Sequence, residues 1–349
     1  MPKVLSAFAA WLDRIDPGTH RRIKGLRLVT AYGIAALLAV ALVTTGYLGH
    51  ELKVVTLAAG FALWASVSEG RATRAESSFD LLALNLAAGL GAAFTAGLTP
   101  LPGSVAPELT LVVGAFLAGW LRRYGILGTG VGSQFYIGQL LAYTTGATPA
   151  DLPIILAAAA MGAVGSIVPR VLSGPAAHPP APLPTPAIEA RRGVSPELAM
   201  GLQAAAAALV IVALNAAIGL EQSAWAITAI VYVVAGSTSG TYERVRERII
   251  GTIVGVPLGL ACLPIAFHAP ILIWIAAALA MVIYAMALPE RYDIACAAFA
   301  FTLIVTLAAT GEHSFGMLAA RLWETILGGA LGVAAAMLIL PLRPVKAAR

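Results

Sequence analysis

The chain has 349 residues, of which 59% are hydrophobic and only 11% charged, with a mean hydropathy of +0.87. A soluble fold carries about 25% charged residues, so this chain lacks the polar surface for one, and the same numbers exclude a disordered or fibrous chain. Its net charge of +5 does not point to nucleic acid, because the basic residues stand singly or in pairs between apolar runs, as topology signals do.

Residues 1–27 lack the central apolar run of a cleavable signal. Val4, Leu5, Phe8, Trp11, Leu12 and Ile15 recur at helical spacing until Pro17-Gly18, which predicts an interfacial amphipathic helix. About 20 apolar residues cross a bilayer core. On that measure six spans are expected in residues 28–172, at 28–48, 52–68, 80–99, 108–121, 126–145 and 151–171. Residues 173–196 carry Pro175, Pro179, Pro180, Pro182, Pro184, Pro186 and Pro196 and read as an extended cytoplasmic linker. Six more spans are expected in residues 197–342, at 197–219, 222–239, 248–267, 270–288, 293–310 and 316–340, before a cytoplasmic tail at 343–349.

The basic residues agree with this count. With the N-terminus inside, 20 of the 22 lysines and arginines fall in inner segments; the exceptions are Lys53 and Arg321. That asymmetry places both termini in the cytoplasm. The halves also align. A shift of 170 residues sets Leu28 on Leu198, Arg74 on Arg244 and Gly89 on Gly259, and a shift of 168 sets Arg123-Tyr124 on Arg291-Tyr292. The expected fold class is an all-α polytopic membrane protein of about twelve transmembrane helices, built as two six-helix pseudo-repeats in parallel orientation. A weaker echo relates Arg248–Gly259 to Arg321–Gly332 and is compatible with a nested inverted repeat or with chance likeness between Gly-rich helices.

Little in the sequence speaks for covalent chemistry. Cys262 and Cys296 lie in apolar runs without a CxxC pair, and the histidines lack ligand spacing, so no metal and no cofactor are expected. Catalytic triads, HExxH and Walker sequences do not occur, which argues against an enzyme and against ATP drive. The Gly-rich stretch Gly128–Gln134 follows no strand and is not read as a nucleotide loop. Ser133, Gln134 and Gln139 are a hydroxyl and two amides within a span, suited to interhelical hydrogen bonds or to lining a pore.

Chemistry-bearing residues concentrate in the second half. Trp225 and Thr228 share a helical face. Gly236-Ser237-Thr238-Ser239-Gly240 is too polar for a lipid face and suits a helix end, a close contact or a wet cavity. An inner loop with Arg244, Arg246 and Arg248 follows, and then Thr252 and the strip Gly251, Gly255 and Gly259, along which another backbone can approach. Gly328 and Gly332 form a similar pair. Arg244 and Arg248 are spaced to share a helix face, as topology markers on lipid phosphates or as a fork for a carboxylate. Arg321 sits about five residues into the last apolar run, where a charge at the helix centre costs about 2.5–3.5 kcal/mol. Glu324, one turn on, relieves part of that cost and is a candidate for proton coupling.

The pattern Trp225-x2-Thr228, then Thr241-x2-Arg244-x3-Arg248-x2-Gly251-Thr252-x2-Gly255-x3-Gly259, resembles the fusaric acid resistance protein-like family, also called FUSC, within the aromatic acid exporters. The likeness covers roughly 197–340. In the first half, Ser78, Leu81 and Leu82 stand where Arg248, Gly251 and Thr252 would be matched, and the large cytosolic domain of full-length aromatic acid exporters is absent. The resemblance implies export of small organic, aromatic anions by secondary transport. Substrate contacts are then expected from Arg244, Arg248, Arg321, Trp225, Thr228, Thr252, Gln134 and Gln139, with helix packing by the five glycines. A passive anion channel, as in the plant aluminium-activated malate transporters that resemble this family, and a membrane assembly module without transport are the alternatives. Expected partners are a small organic anion and membrane lipid, with room for self-association and for a periplasmic efflux partner.

Overall fold

The computed structural model describes residues 10, 12–16, 18–46, 52–71, 73–99, 106–173, 188–189, 193–220, 223–309 and 315–344. Among them are twelve helices of eleven residues or more: α1 His20–Thr44, α2 Lys53–Ser68, α3 Arg74–Leu98, α4 Ala106–Trp120, α5 Gly125–Thr144, α6 Leu152–Leu172, α7 Pro196–Ile218, α8 Ser223–Val233, α9 Thr238–Ala261, α10 Pro270–Ala287, α11 Tyr292–Ala309 and α12 Phe315–Leu338. A short helical segment, Leu263–His268, links α9 to α10, and a 3-10 turn, Leu121–Tyr124, links α4 to α5. Seven helical stretches are long and apolar enough to cross a membrane. The chain is a multi-pass helical membrane protein.

Local chemistry sets the helix ends. Thr73 accepts the Glu76 N–H and donates its hydroxyl to the Glu76 carboxylate, an N-cap. Ser195 and Ser237 accept the N–H groups of Leu198 and Gly240. Gly219, at φ 66°, closes α7 in the left-handed region. Beyond residue 15, Asp16 is fully buried and accepts the N–H groups of Arg21 and Arg22 at the entry to α1. The expected amphipathic lead-in is helical over 12–15; Val4, Leu5, Phe8 and Trp11 lie outside the described residues.

Three expectations need correction. The span expected at 222–239 ends at Val233, because Gly236–Ser237 breaks the helix and Ser237 caps the next one. Helix α8 therefore has 11 residues and a length of about 16 Å, short of a full crossing. Arg244, Arg246 and Arg248 are not in a loop, since α9 starts at Thr238; α3 likewise starts at Arg74 rather than 80. In the linker, Ile188–Glu189 pairs antiparallel with Arg343–Pro344 of the tail.

The packing is tight and alanine-rich. In the first half α1 packs on α2 and α6, α2 on α6, α3 on α5 and α6, and α4 on α5. The second six helices pair in the same way: α7 on α8 and α12, α8 on α12, α9 on α11 and α12, and α10 on α11. Between the halves, α4 packs on α7 and α10 packs on α1. One core cluster joins Leu111, Ala115, Tyr136 and Ile137 of α4 and α5 to Ala208, Ile211, Ile227 and Ile230 of α7 and α8. A second fills the first half with Ala31, Ala35, Phe61, Ala88, Ala92 and Ile155. Outside these cores, Leu37, Leu90, Leu156 and Ile271 are each more than 60% exposed, a surface that only lipid would cover well.

Glycines carry the closest approaches. On α9, a Cβ at Gly251 or Gly255 would collide with the carbonyl oxygens of Asp293 or Ala297 on α11, and one at Gly259 would come within 2.7 Å of Ile304. Gly328 meets the Ala226 carbonyl of α8 in the same way, and Gly332 lies 3.0 Å from Val233 by the same measure. Overpacking such a seam costs about 1–3 kcal/mol or more. Gly255→Leu should therefore lower the melting temperature of the purified protein and its monodisperse yield. Gly33→Leu, which meets open space, should leave both unchanged.

Candidate functional site

The site is built where α8, α9 and α12 meet. Arg321 on α12 is 7% exposed, yet its guanidinium carbon stacks 4.0 Å from the centroid of the Trp225 ring on α8. Its Nη1 lies 4.0 Å from Oε2 of Glu324, which is 1% exposed. Arg321 Nε and Nη1 make no hydrogen bond among the described residues. A guanidinium on an indole face gains cation–π attraction while its hydrogens stay available. This buried cation is held by the Trp225 ring and a long ion pair rather than by hydrogen bonds at Nε and Nη1.

A second guanidinium lies toward the end of the bundle where α9 begins. Trp225 and Tyr232 are seven residues apart on α8, about 10 Å along the axis. Near Tyr232, Arg248 directs Nη1 to the hydroxyl of Tyr292 at 3.4 Å, and Tyr232 and Cys296 lie close enough to act on its charge. Its Nε is buried without a partner among the described residues. The Tyr232 hydroxyl meets Ser133 of α5 at 3.2 Å. Beside this group, Trp64, Tyr284 and Phe299 form a three-ring cluster with centroids 5.4–6.3 Å apart, which ties α2 to α10 and α11. Arg122 reaches from the first half to the carbonyl of Val234 at 3.3 Å. At the same end a cavity of about 380 Å³ is lined by Thr238, Ser239, Met337, Pro341, Leu342 and Arg343.

Other expected site residues are engaged elsewhere. Thr228 takes no part in seating Arg321; it donates to Ala224 and meets the Tyr136 hydroxyl at 2.8 Å. Thr252 donates to the Arg248 carbonyl one turn back. Gln134 bonds Ser68 of α2 and Gln139 bonds the Thr110 carbonyl of α4, so both join helices inside the first half. Arg244 is exposed, while Arg248 is half-buried. The structure thus brings Trp225, Arg321 and Glu324 together, sets Arg248 on a neighbouring level, and leaves Gln134, Gln139 and Thr252 in packing. Among the described residues no three His, Cys, Asp or Glu side chains converge as a metal site would need.

Sequence reading missed Glu108. This carboxylate, 1% exposed at the start of α4, accepts hydrogen bonds from Tyr143 at 2.8 Å, Asn215 at 2.7 Å and Ser223. Those donors come from α5, α7 and α8, so one oxygen pins both halves together two residues from Trp225. The signal was present: a lone carboxylate heading a run of apolar residues.

Residues 206–335 match the fusaric acid resistance protein-like family. The match lies wholly in the second half of the chain and includes Trp225, Arg248, Arg321 and Glu324. No curated protein and no solved structure matches the chain. Domain and helical architecture together make this a transporter-like membrane protein.

The Glu108 hub sets a test of the interface. Glu108→Ala strands three donors, so it should destabilise the protein by about 2–4 kcal/mol, read as a fall in melting temperature in detergent. Glu108→Gln keeps an acceptor oxygen and should lose less.

Proposed function

We propose that this chain is an inner-membrane secondary transporter that exports small organic anions, aromatic carboxylates foremost. The observation that carries the reading is Arg321: a guanidinium buried among apolar helices, seated on Trp225, with donors that nothing in the described protein uses. An ionisable group at depth is a functional site by default. A carboxylate would take the unused edge of the fork, and an aromatic ring would find Trp225 and the Trp64–Tyr284–Phe299 cluster. The cavity beside Thr238 and Arg343 has the volume of a small-molecule site and offers an entry for an anion from the cytoplasm. Glu324, one turn from Arg321, is the proton-linked partner, so transport depends on pH.

The same reading has twelve crossings in two related halves, with both termini cytoplasmic. The shared helix pairings of α1–α6 and α7–α12 support it, as does the gathering of Lys24, Arg27, Arg71, Arg170 and Arg291 near helix ends that the topology puts inside. Helices as short as α8 complete their crossing with the non-helical residues 234–237. In a background without Cys262 and Cys296, a cysteine at Tyr124 should react with an impermeant thiol reagent only after cells are opened. A cysteine at Gly146 should react in intact cells.

Accumulation of labelled aromatic acids in cells with and without the protein, each with and without a protonophore, tests the transport reading. The protein should lower accumulation, and the protonophore should abolish the difference. Arg321→Gln should weaken transport about tenfold or more, as for a lost charge-assisted hydrogen bond. Glu324→Gln should retain transport but flatten its pH dependence. Flux that follows the electrochemical gradient alone, at every pH, would make the protein a channel.

A further inference from the structure

A second cationic cluster lies in the first half, far in sequence from the family domain. Lys24 and Arg27 of α1, Ser66 and Glu69 at the end of α2, Leu81 of α3, and Ser166 and Arg170 of α6 enclose a cavity of about 10 Å³. That is the room of one water-sized guest. Three cations face it against one carboxylate. The carboxylate is already engaged: Glu69 Oε1 accepts from the Ser77 hydroxyl at 2.6 Å and the Arg71 N–H at 2.9 Å, and Arg170 lies 3.8 Å away. Arg71 is itself committed to Asp80 at 2.7 Å. Arg170, 2% exposed, donates to Ser77 at 2.9 Å and to the Arg71 carbonyl at 3.3 Å.

The donors left over belong to the cations. Ser66 and Ser166 spend their hydroxyl protons on carbonyls of their own helices. Lys24 Nζ holds the Glu69 carbonyl at 2.7 Å with one of its three hydrogens. Arg27 Nε and Nη1 are buried and without a hydrogen-bond partner among the described residues. Excess positive charge in a poorly hydrated site is costly until an anion or a pairing answers it. The sequence does not repeat this cluster in the second half. At the shift of 170, Val194, Glu197, Ser239 and Thr241 stand where Lys24, Arg27, Glu69 and Arg71 do.

We infer that Lys24, Arg27 and Arg170 form a resident site for a monatomic anion of chloride size at the inner end of α1, α2, α3 and α6, separate from the Arg321 site. The room of about one water suits a single compact anion. Bound there, the ion ties α1 to α6 and offsets part of the excess positive charge of the cluster.

The full chain purified in detergent tests this, with sodium chloride exchanged for sodium gluconate at constant ionic strength. Melting temperature should rise saturably with chloride, bromide should replace chloride, and sulfate and phosphate should not. Chlorine-35 NMR of the same samples should show line broadening that bromide relieves. Arg27→Gln should weaken the chloride response about tenfold or more, while Arg123→Gln, at an exposed position, should leave it intact. Should Arg27→Gln fail to fold, the bromide competition on the unaltered chain decides alone. A melting temperature indifferent to chloride with no broadening would overturn the site, and so would an equal response to sulfate or phosphate. Arg321→Gln should keep the chloride response, so loss of transport and loss of this site are told apart.

Discussion

A guanidinium removed from water costs several kcal/mol unless something answers its charge, and this molecule is arranged around that constraint. Each buried arginine meets it differently. Arg170 is enclosed by Ser77, the Arg71 carbonyl and Glu69. Arg122 turns to backbone carbonyls at Ala118 and Val234. Arg321 relies on the Trp225 ring and on a carboxylate at the limit of ion-pair range. The least satisfied of the three lies inside the residues that match the family, and the most satisfied lies in the half outside them.

The rest of the bundle is built to bring such groups together without admitting water. Alanine and glycine line the seams, so backbones approach closely and interhelical contact replaces bulk. The α9–α11 seam at Gly251, Gly255 and Gly259 and the α8–α12 seam at Gly328 hold α9 and α12 firmly. Arg248 and Arg321 stand on those two helices. Rigid carriers with few adaptable side chains suit a site that must present a charge at a fixed depth.

Much of the helical layout was legible in the sequence, because apolar runs of bilayer length admit few other readings. The twelve expected segments each contain a helix. The errors fell where charge and helix coincide. Arg74 to Phe79 and Thr238 to Glu247 are helical despite their polarity, because the side-chain caps at Thr73 and Ser237 start those helices early. Arg321 and Glu324 were readable as a pair one turn apart. Trp225 as the seat of Arg321 was not, because nothing in a single sequence reports which helices face each other. The same limit hid Glu108 and the meeting of Lys24 and Glu69 with Arg170. These residues looked like boundary charges until folding placed them side by side.

The break after α8 has a mechanical meaning. Ending that helix early leaves its last carbonyls without intrahelical partners, and Arg122 from the other half reaches over to hold the one at Val234. Any displacement of α4 against α8 would break this contact. The short helix thus converts a local shortage of hydrogen bonds into a tie between the two halves of the chain.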